Sequence, residues 1–327
     1  KELLKAKSLG VSSDDVIPLL MQSMLIQGKY SDVIEQDISD MSTNDKIAEV
    51  VTSKGLAYLR QKKLDSARQQ MNLALQRAPS SLYVITGNAQ LDIAVKDFKK
   101  AREGLDEVLS VDDKYGPAWS ALGDLEQEEL NFEKAIEFYS KAINYRSDNW
   151  SDLLKRGMLS IRLKRYDNAQ KDVNQLKALL PRSPQVNYAQ GLLFFYNEKL
   201  SDAKSSLEKV LVHDENHLWA IYYLGAIHFL QGNQENARNY LSRFVSKAPG
   251  YIPGRKLLAM VKLKDNKPKQ EEALLYPVTQ ANTKDIVSMN LLANALLKQG
   301  KADDAIALFE KIVEIEPESA KARMRLG

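Results

Sequence analysis

The sequence predicts an all-α protein, a solenoid of nine tandem 34-residue helix–turn–helix units, and three recurrences carry that prediction. First, a small residue returns every 34 positions inside an apolar stretch: Gly55, Ala89, Gly123, Gly157, Gly191, Gly225, Ala259 and Ala293, with Met21 the exception at the start. Second, an alanine stands twelve positions beyond most of them (Ala67, Ala101, Ala135, Ala169, Ala203, Ala237, Ala305), with Val33 and Glu271 as departures. Third, a mostly large residue follows at sixteen, from Met71 through Tyr139 to Phe309, and a proline or polar turn residue at twenty-four, as at Pro79, Asp113, Pro181, Pro249 and Pro317. Self-similarity at a fixed period of this length is the mark of one supersecondary unit stacked many times.

Within each unit the first helix, A, centres on the small residue. WSALGDL at 119–125 and YYLGAIHF at 222–229 both place glycine inside an amphipathic helix, where it costs about 1 kcal/mol against alanine. Its recurrence asks for a packing reason. A glycine or alanine on A facing the alanine of the second helix, B, lets the two backbones approach closely and gain dispersion contacts. The proline or polar residue then ends B and starts the next unit. The units run 14–47, 48–81, 82–115, 116–149, 150–183, 184–217, 218–251, 252–285 and 286–319. Residues 1–13 fit the closing helix of a preceding truncated unit, and 320–327 the start of a truncated following one. A length of 327 residues suggests two or three globular domains, but an array stabilised between nearest neighbours predicts one elongated domain. The eighth unit is irregular: Pro268 opens its B helix, Pro277 lies inside it, and Glu271 takes the place of the small alanine. A missing N–H and a ring clash predict a kink there, and with it a local bend or a looser segment.

Charged residues, 27% of the chain, lie between the apolar repeats as solvated faces do, and the net charge of +3 argues for no nucleic-acid partner. Arg255, Lys256, Lys262, Lys264, Lys267 and Lys269 form a basic group, but Asp265, Glu271 and Glu272 interrupt it. There is no cysteine, so neither a disulfide framework nor a thiolate metal site is available. His213 and His217, with Asp214 and Glu215, fall at the polar end of a B helix and predict a turn rather than a metal site. His228 takes an aromatic place on an A helix and predicts a packed core residue with a hydrogen-bond partner. No phosphate-binding glycine loop, zinc-protease or nucleophile-elbow motif occurs, so no catalytic residue, cofactor or metal is expected. No apolar run approaches the ~18 residues of a membrane-spanning helix.

The order small residue, alanine, bulky residue, proline resembles the tetratricopeptide repeat. Residues 116–149 show it best, with Trp119, Leu122, Gly123, Ala135, Tyr139 and Ala142. The resemblance implies a right-handed superhelix whose A helices line a concave inner surface where ligands lie. Its inward positions gather Tyr188, Leu192, Phe195 and Tyr196 in the sixth unit and Trp219, Tyr222, Tyr223, Phe229 and Leu230 in the seventh. Lys155 and Arg162 flank them on one side, Lys256 and Lys264 on the other. Aromatic rings with polar handles suit a peptide, a helix or a sugar ring. The groove therefore predicts a non-catalytic scaffold for a protein or peptide partner with apolar anchors and acidic flanks. A polysaccharide stacked on the same rings is the rival ligand, and packing of some rings between neighbouring A helices, Trp219 and Phe229 foremost, is the structural alternative. Lys256 has the lysine place of the carboxylate clamp found in chaperone-binding members, but Met260 replaces its asparagine partner.

Residues 224–278, including APGYIPGRKLLA, and residues 5–36 are similar to the tetratricopeptide lipoproteins that accompany the exosortase (PEP-CTERM) sorting system and exopolysaccharide loci of Gram-negative bacteria. That resemblance implies a lipid-anchored parent protein, its anchor outside this sequence, with the solenoid on the periplasmic face of the envelope. The composition also fits a cytoplasmic protein.

Overall fold

The computed structural model describes residues 2–146, 150–262, 267–318 and 323–324. Lys264 and most of the unit expected at 320–327 lie outside them. Among the described residues the regular elements are all α-helices: α1 (Glu2–Ser8), α2 (Ser13–Ile26), α3 (Tyr30–Glu35), α4 (Asn44–Arg60), α5 (Leu64–Arg77), α6 (Leu82–Ala94), α7 (Phe98–Val111), α8 (Gly116–Glu128), α9 (Phe132–Tyr145) and α10 (Trp150–Arg162). They continue with α11 (Tyr166–Leu179), α12 (Pro184–Tyr196), α13 (Leu200–His213), α14 (Leu218–Leu230), α15 (Gln234–Lys247), α16 (Ile252–Lys262), α17 (Pro268–Ala281), α18 (Ile286–Leu297) and α19 (Ala302–Ile315). The fold class is the one the 34-residue period predicts, an all-α solenoid of helix–turn–helix units. The chain divides into two compact units, Lys1–Leu176 and Lys177–Gly327.

In each unit an A helix packs on the B helix that follows it, as α4 on α5 and α8 on α9 in the first, α12 on α13 and α14 on α15 in the second. The core is a succession of local clusters. Ala101, Leu105 and Val108 of α7 meet Ile85 and Ala89 of α6 and Leu122 and Leu125 of α8. Ala203, Leu207 and Val210 of α13 meet Ala220, Leu224 and Ile227 of α14 in the same way. Helices α5, α7, α13 and α15 are each covered by their own A helix and the next one, which is how a repeat without a central core stays stable.

The packing reason for the glycines differs from the expected one. A Cβ built on Gly123 would stand 2.5 Å from Tyr139 Cδ1, and one on Gly191 or Gly225 would stand 2.7 Å from Cγ of Leu207 or Leu241. The bulky residue sixteen positions on, rather than the alanine twelve positions on, seats itself on the glycine. The alanine matters through its backbone: the Ala203 carbonyl lies 3.5 Å from the same point at Gly191.

The turn from A to B shows a feature of the backbone. Gly28, Lys62, Lys96, Leu130, Lys164, Glu198, Gly232 and Gly300 all have φ between +59° and +79°. They lie seven positions after Met21 and the repeating small residues, so the hairpin sets a left-handed residue at one place in each unit whose turn is described. Glycine meets that requirement freely; a side chain there costs roughly 1–2 kcal/mol.

Two units depart from the pattern. In the first, the B helix stops at Glu35, and the carboxylate of Asp14 holds the following loop by accepting from the amides of Ser42 (3.1 Å) and Thr43 (3.1 Å) and from both hydroxyls. The next A helix accordingly starts at Asn44, ahead of the expected boundary at 48. In the eighth, α17 runs as one helix from Pro268 to Ala281 with Pro277, the place of the expected kink, inside it. Proline leaves the Ala273 carbonyl without its usual i+4 donor, and the Arg255 guanidinium supplies one at 3.3 Å while also donating to the Pro249 carbonyl. Glu271, in the alanine place, is fully buried.

Candidate functional site

In the second compact unit, Lys177–Gly327, α12 and α14 carry neither a lysine or arginine nor a carboxylate. Their rings form a continuous network. Tyr196 lies 6.3 Å from Tyr223, Tyr223 5.3 Å from Tyr222, and Tyr222 6.2 Å from Trp219, with interplanar angles of 74°, 76° and 85°. Phe195 braces the first pair at 5.4 and 5.1 Å. Edge-to-face contacts of this kind fix ring orientation and add to burial energy. The hydroxyls of Tyr196 and Tyr223 share a 2.9 Å hydrogen bond. Trp219 and Tyr196 remain 40% and 43% exposed, so large apolar surface stays open to solvent.

Burial, together with the neighbouring Tyr251 and Tyr196 phenols, pushes the Tyr222 hydroxyl up to about 12. Burial likewise raises Tyr188 and Tyr223. These phenols therefore stay protonated at neutral pH.

The structure brings together most of the aromatic residues picked out in the sequence and corrects several neighbours. Leu192 is 4% exposed and belongs to the core, because its position turns inward between helices. Phe229 is partly buried against α15 and α16, as the packing alternative held, whereas Trp219 packs on Phe244 of α15 and on Tyr251 at 5.7 and 5.1 Å. Phe244 and Tyr251 are the residues sequence reasoning missed. One lies on a B helix and the other in the connecting turn, so a search confined to A-helix positions passes over both; Tyr222, at 4.9 and 5.5 Å, touches each.

The expected basic flank is engaged within the protein. Lys256 Nζ donates to both Asp285 oxygens at 2.9 and 2.8 Å. Although burial raises the Asp285 carboxyl, hydrogen bonds from Lys256 and Ser288 bring it below its ordinary value. Lys155 and Arg162 belong to the first unit. Lys155 Nζ lies 2.6 Å from Asp124, which also accepts from the buried Tyr139 hydroxyl at 2.7 Å, and Arg162 stacks 4.1 Å over Phe132. Lys264 is outside the described residues.

The two histidine readings resolve as structure. His217 caps α14, its Nδ1 accepting from the Ala220 amide at 3.1 Å, while its ring packs 4.9 Å from Tyr188. His228 is 3% exposed, stacks on Tyr240 and meets the Asn233 amide at 3.5 Å; burial, with Lys204 nearby, lowers its pKa. Among the described residues no group of three or more potential ligands could hold a metal ion, and no helix is long and apolar enough to cross a membrane.

Family profiles described as Tetratricopeptide repeat match residues 48–81, 116–149, 188–252 and 289–327. The chain belongs to the tetratricopeptide-repeat family, whose members act as protein–protein interaction scaffolds and are typically non-catalytic. Among curated relatives, it is 25% identical to the BBSome complex member BBS4 of Bos taurus over 96% of this chain and 62% of that protein. It is 22% identical to TPR repeat-containing protein MJ1428 of Methanocaldococcus jannaschii over 95% of this chain and 60% of that one. It therefore spans about three-fifths of the length of these relatives. Among solved structures, the APC/C hetero-tetramer Cut9–Hcn1 superposes with a TM-score of 0.74 at 16% identity, covering 90% of this chain and 58% of that one.

Proposed function

We propose that this chain is a non-catalytic scaffold that takes a protein or peptide partner on the aromatic face of α12 and α14. One observation carries the reading: a ring network on two neighbouring A helices that leaves Trp219 and Tyr196 two-fifths exposed, with no charged residue on either helix. An exposed apolar patch of this kind marks an interaction site more often than a neutral surface. The bovine relative's place in a multiprotein complex is consistent with it. Capture experiments with the wild type and a Tyr188→Ala, Tyr196→Ala, Tyr222→Ala variant of unchanged helicity test the site. Partners lost by the variant support it, and equal recovery by both refutes it.

The setting we favour is the periplasmic face of a bacterial envelope, in exopolysaccharide assembly linked to PEP-CTERM sorting, with a lipid-anchored parent. It rests on the resemblance of residues 5–36 and 224–278. Exosortase or polysaccharide genes beside the coding gene would support it, and their absence together with cytosolic fractionation would remove it.

A further inference from the structure

We infer that the partner segment held on this face is an amphipathic α-helix of about three turns, laying an uncharged aliphatic stripe along α14; the inference rests on the scaffold reading and names the class of its partner. On α14, Trp219, Tyr222, Tyr223 and Leu230 stand at i, i+3, i+4 and i+11, which is one stripe of a helix. Both ends of the stripe are open, Trp219 at 40% and Leu230 at 59% exposure, with Tyr222 and Tyr223 half-buried between them. The ends are separated by ~16 Å of helix rise. Tyr196, 43% exposed beside Tyr223, adds a ring from the neighbouring α12.

The polar groups of the face are turned toward one another. The Tyr196 and Tyr223 hydroxyls share their hydrogen bond, and Tyr222 is bonded to Tyr251. With no lysine, arginine or carboxylate on α12 or α14, a charged residue set on the stripe would lose its hydration without gaining an ion pair. The contact residues of the partner are therefore aliphatic. An extended or polyproline segment would bring its own backbone carbonyls, or carbonyls and N–H groups, onto rings that offer few free partners, and each unmade bond is costly. An α-helix pairs its backbone internally and turns only side chains to the face. Spacing agrees with that choice: Trp219 lies 6.2 Å from Tyr222, and Tyr222 5.3 Å from Tyr223. Side chains three and four apart on a helix are separated by ~5–6 Å, so aliphatic anchors at i, i+4, i+7 and i+11 seat along the rings as one helix packs on another.

Calorimetric titration of the whole chain tests this with capped peptides of about 16 residues, long enough to form a helix. The first carries leucines at i, i+4, i+7 and i+11 on an alanine–glutamine background. The others are the same composition with alternating leucines, the striped peptide with a central proline, and the striped peptide with glutamates for its central leucines. The expected result is saturable binding of the striped peptide, undiminished by added salt because no ion pair forms, with a rise in its helicity on binding. The other three should bind at least about tenfold more weakly. Leu230→Glu, at an exposed position that leaves the fold intact, should weaken binding by at least about tenfold, as should Trp219→Ala. Tyr276→Ala, which removes a 57% exposed ring from α17, should leave it unchanged. No saturable binding of the striped peptide, equal binding of any of the other three, or full affinity in Leu230→Glu would overturn the inference. Loss of natural partners in the triple tyrosine variant alongside no binding of the striped peptide would remove the partner class and leave the scaffold reading standing; equal recovery of natural partners would remove both.

Discussion

The A helices of the first unit and those of the second follow one repeat and use their variable positions in opposite ways. In the first, polar side chains are consumed between helices. Asp124 accepts from Tyr139 and Lys155, Ser120 donates to Asp152 at 2.6 Å, and Arg156 clasps the buried Asp172 at 3.0 and 2.6 Å while reaching Ser140. In the second, α12 and α14 hold one another by ring contacts, and part of each ring faces solvent. The difference teaches that invariant small residues build the array while the variable ones decide whether a face is closed on itself or left to bind.

The largest expected effect probes the closed face. Arg156→Ala would leave the Asp172 carboxylate buried without its bidentate partner and should lower stability by about 3–5 kcal/mol. A loss under about 1 kcal/mol in chemical denaturation would mean the polar ties of the first unit are not structural.

Next come the glycine seats. Gly123→Ala drives a methyl into the rigid Tyr139 ring and should cost about 1–3 kcal/mol despite better helix propensity. Gly157→Ala meets only Asp172, its Cβ at 3.3 Å and its Oδ2 at 3.8 Å, and should fall within about 1 kcal/mol of neutral because the propensity gain offsets the contact. Equal unfolding midpoints for the two would break the seating argument.

Smaller still is the turn. The first unit sets Lys62, Lys96, Leu130 and Lys164 in the left-handed region, as the second sets Glu198, whereas Gly28, Gly232 and Gly300 fill the same place without a side chain. Leu130→Gly should therefore raise the unfolding free energy by about 0.5–1 kcal/mol, the relieved strain exceeding the added chain entropy. Gly232→Leu should do the reverse, and the same sign for both would refute the account.

The smallest effect is a pH dependence. Asp14 in the first unit and Asp285 in the second both titrate below the ordinary aspartate value of 3.8: Asp14 through the Thr43 and Ser42 hydrogen bonds, Asp285 because Lys256 and Ser288 outweigh its burial. The stability each contributes is fully present above 3.8 and is lost as pH falls through the lowered native values. Asp285→Asn should flatten the acid side of the stability curve, and an unchanged acid limb would show that the pair does not hold in solution.

How far the site was legible follows from which period each residue obeys. Tyr188, Phe195, Tyr196, Trp219, Tyr222 and Tyr223 lie on A helices, at the inward positions that the tetratricopeptide resemblance implies, and that resemblance grouped them. Phe244 and Tyr251 obey no A-helix spacing; the packing of α15 on α14 lays the first against Trp219 and the turn after α15 the second. Likewise Lys155 and Lys256 have the charge the sequence promises, but Asp124 and Asp285, about thirty residues away from each, take it up. Pro277 was correctly suspect in isolation, and Arg255 on the preceding helix answers it.

By itself, then, the amino-acid sequence determined the helical hairpin, its 34-residue pitch and the small residue at its heart, because these depend on local propensity and on contacts repeated at fixed separation. Tertiary structure alone decided which bulky residue sits on each glycine, which charges are spent on neighbours and which rings remain open. Those outcomes depend on distances between side chains from different helices, which no periodicity encodes.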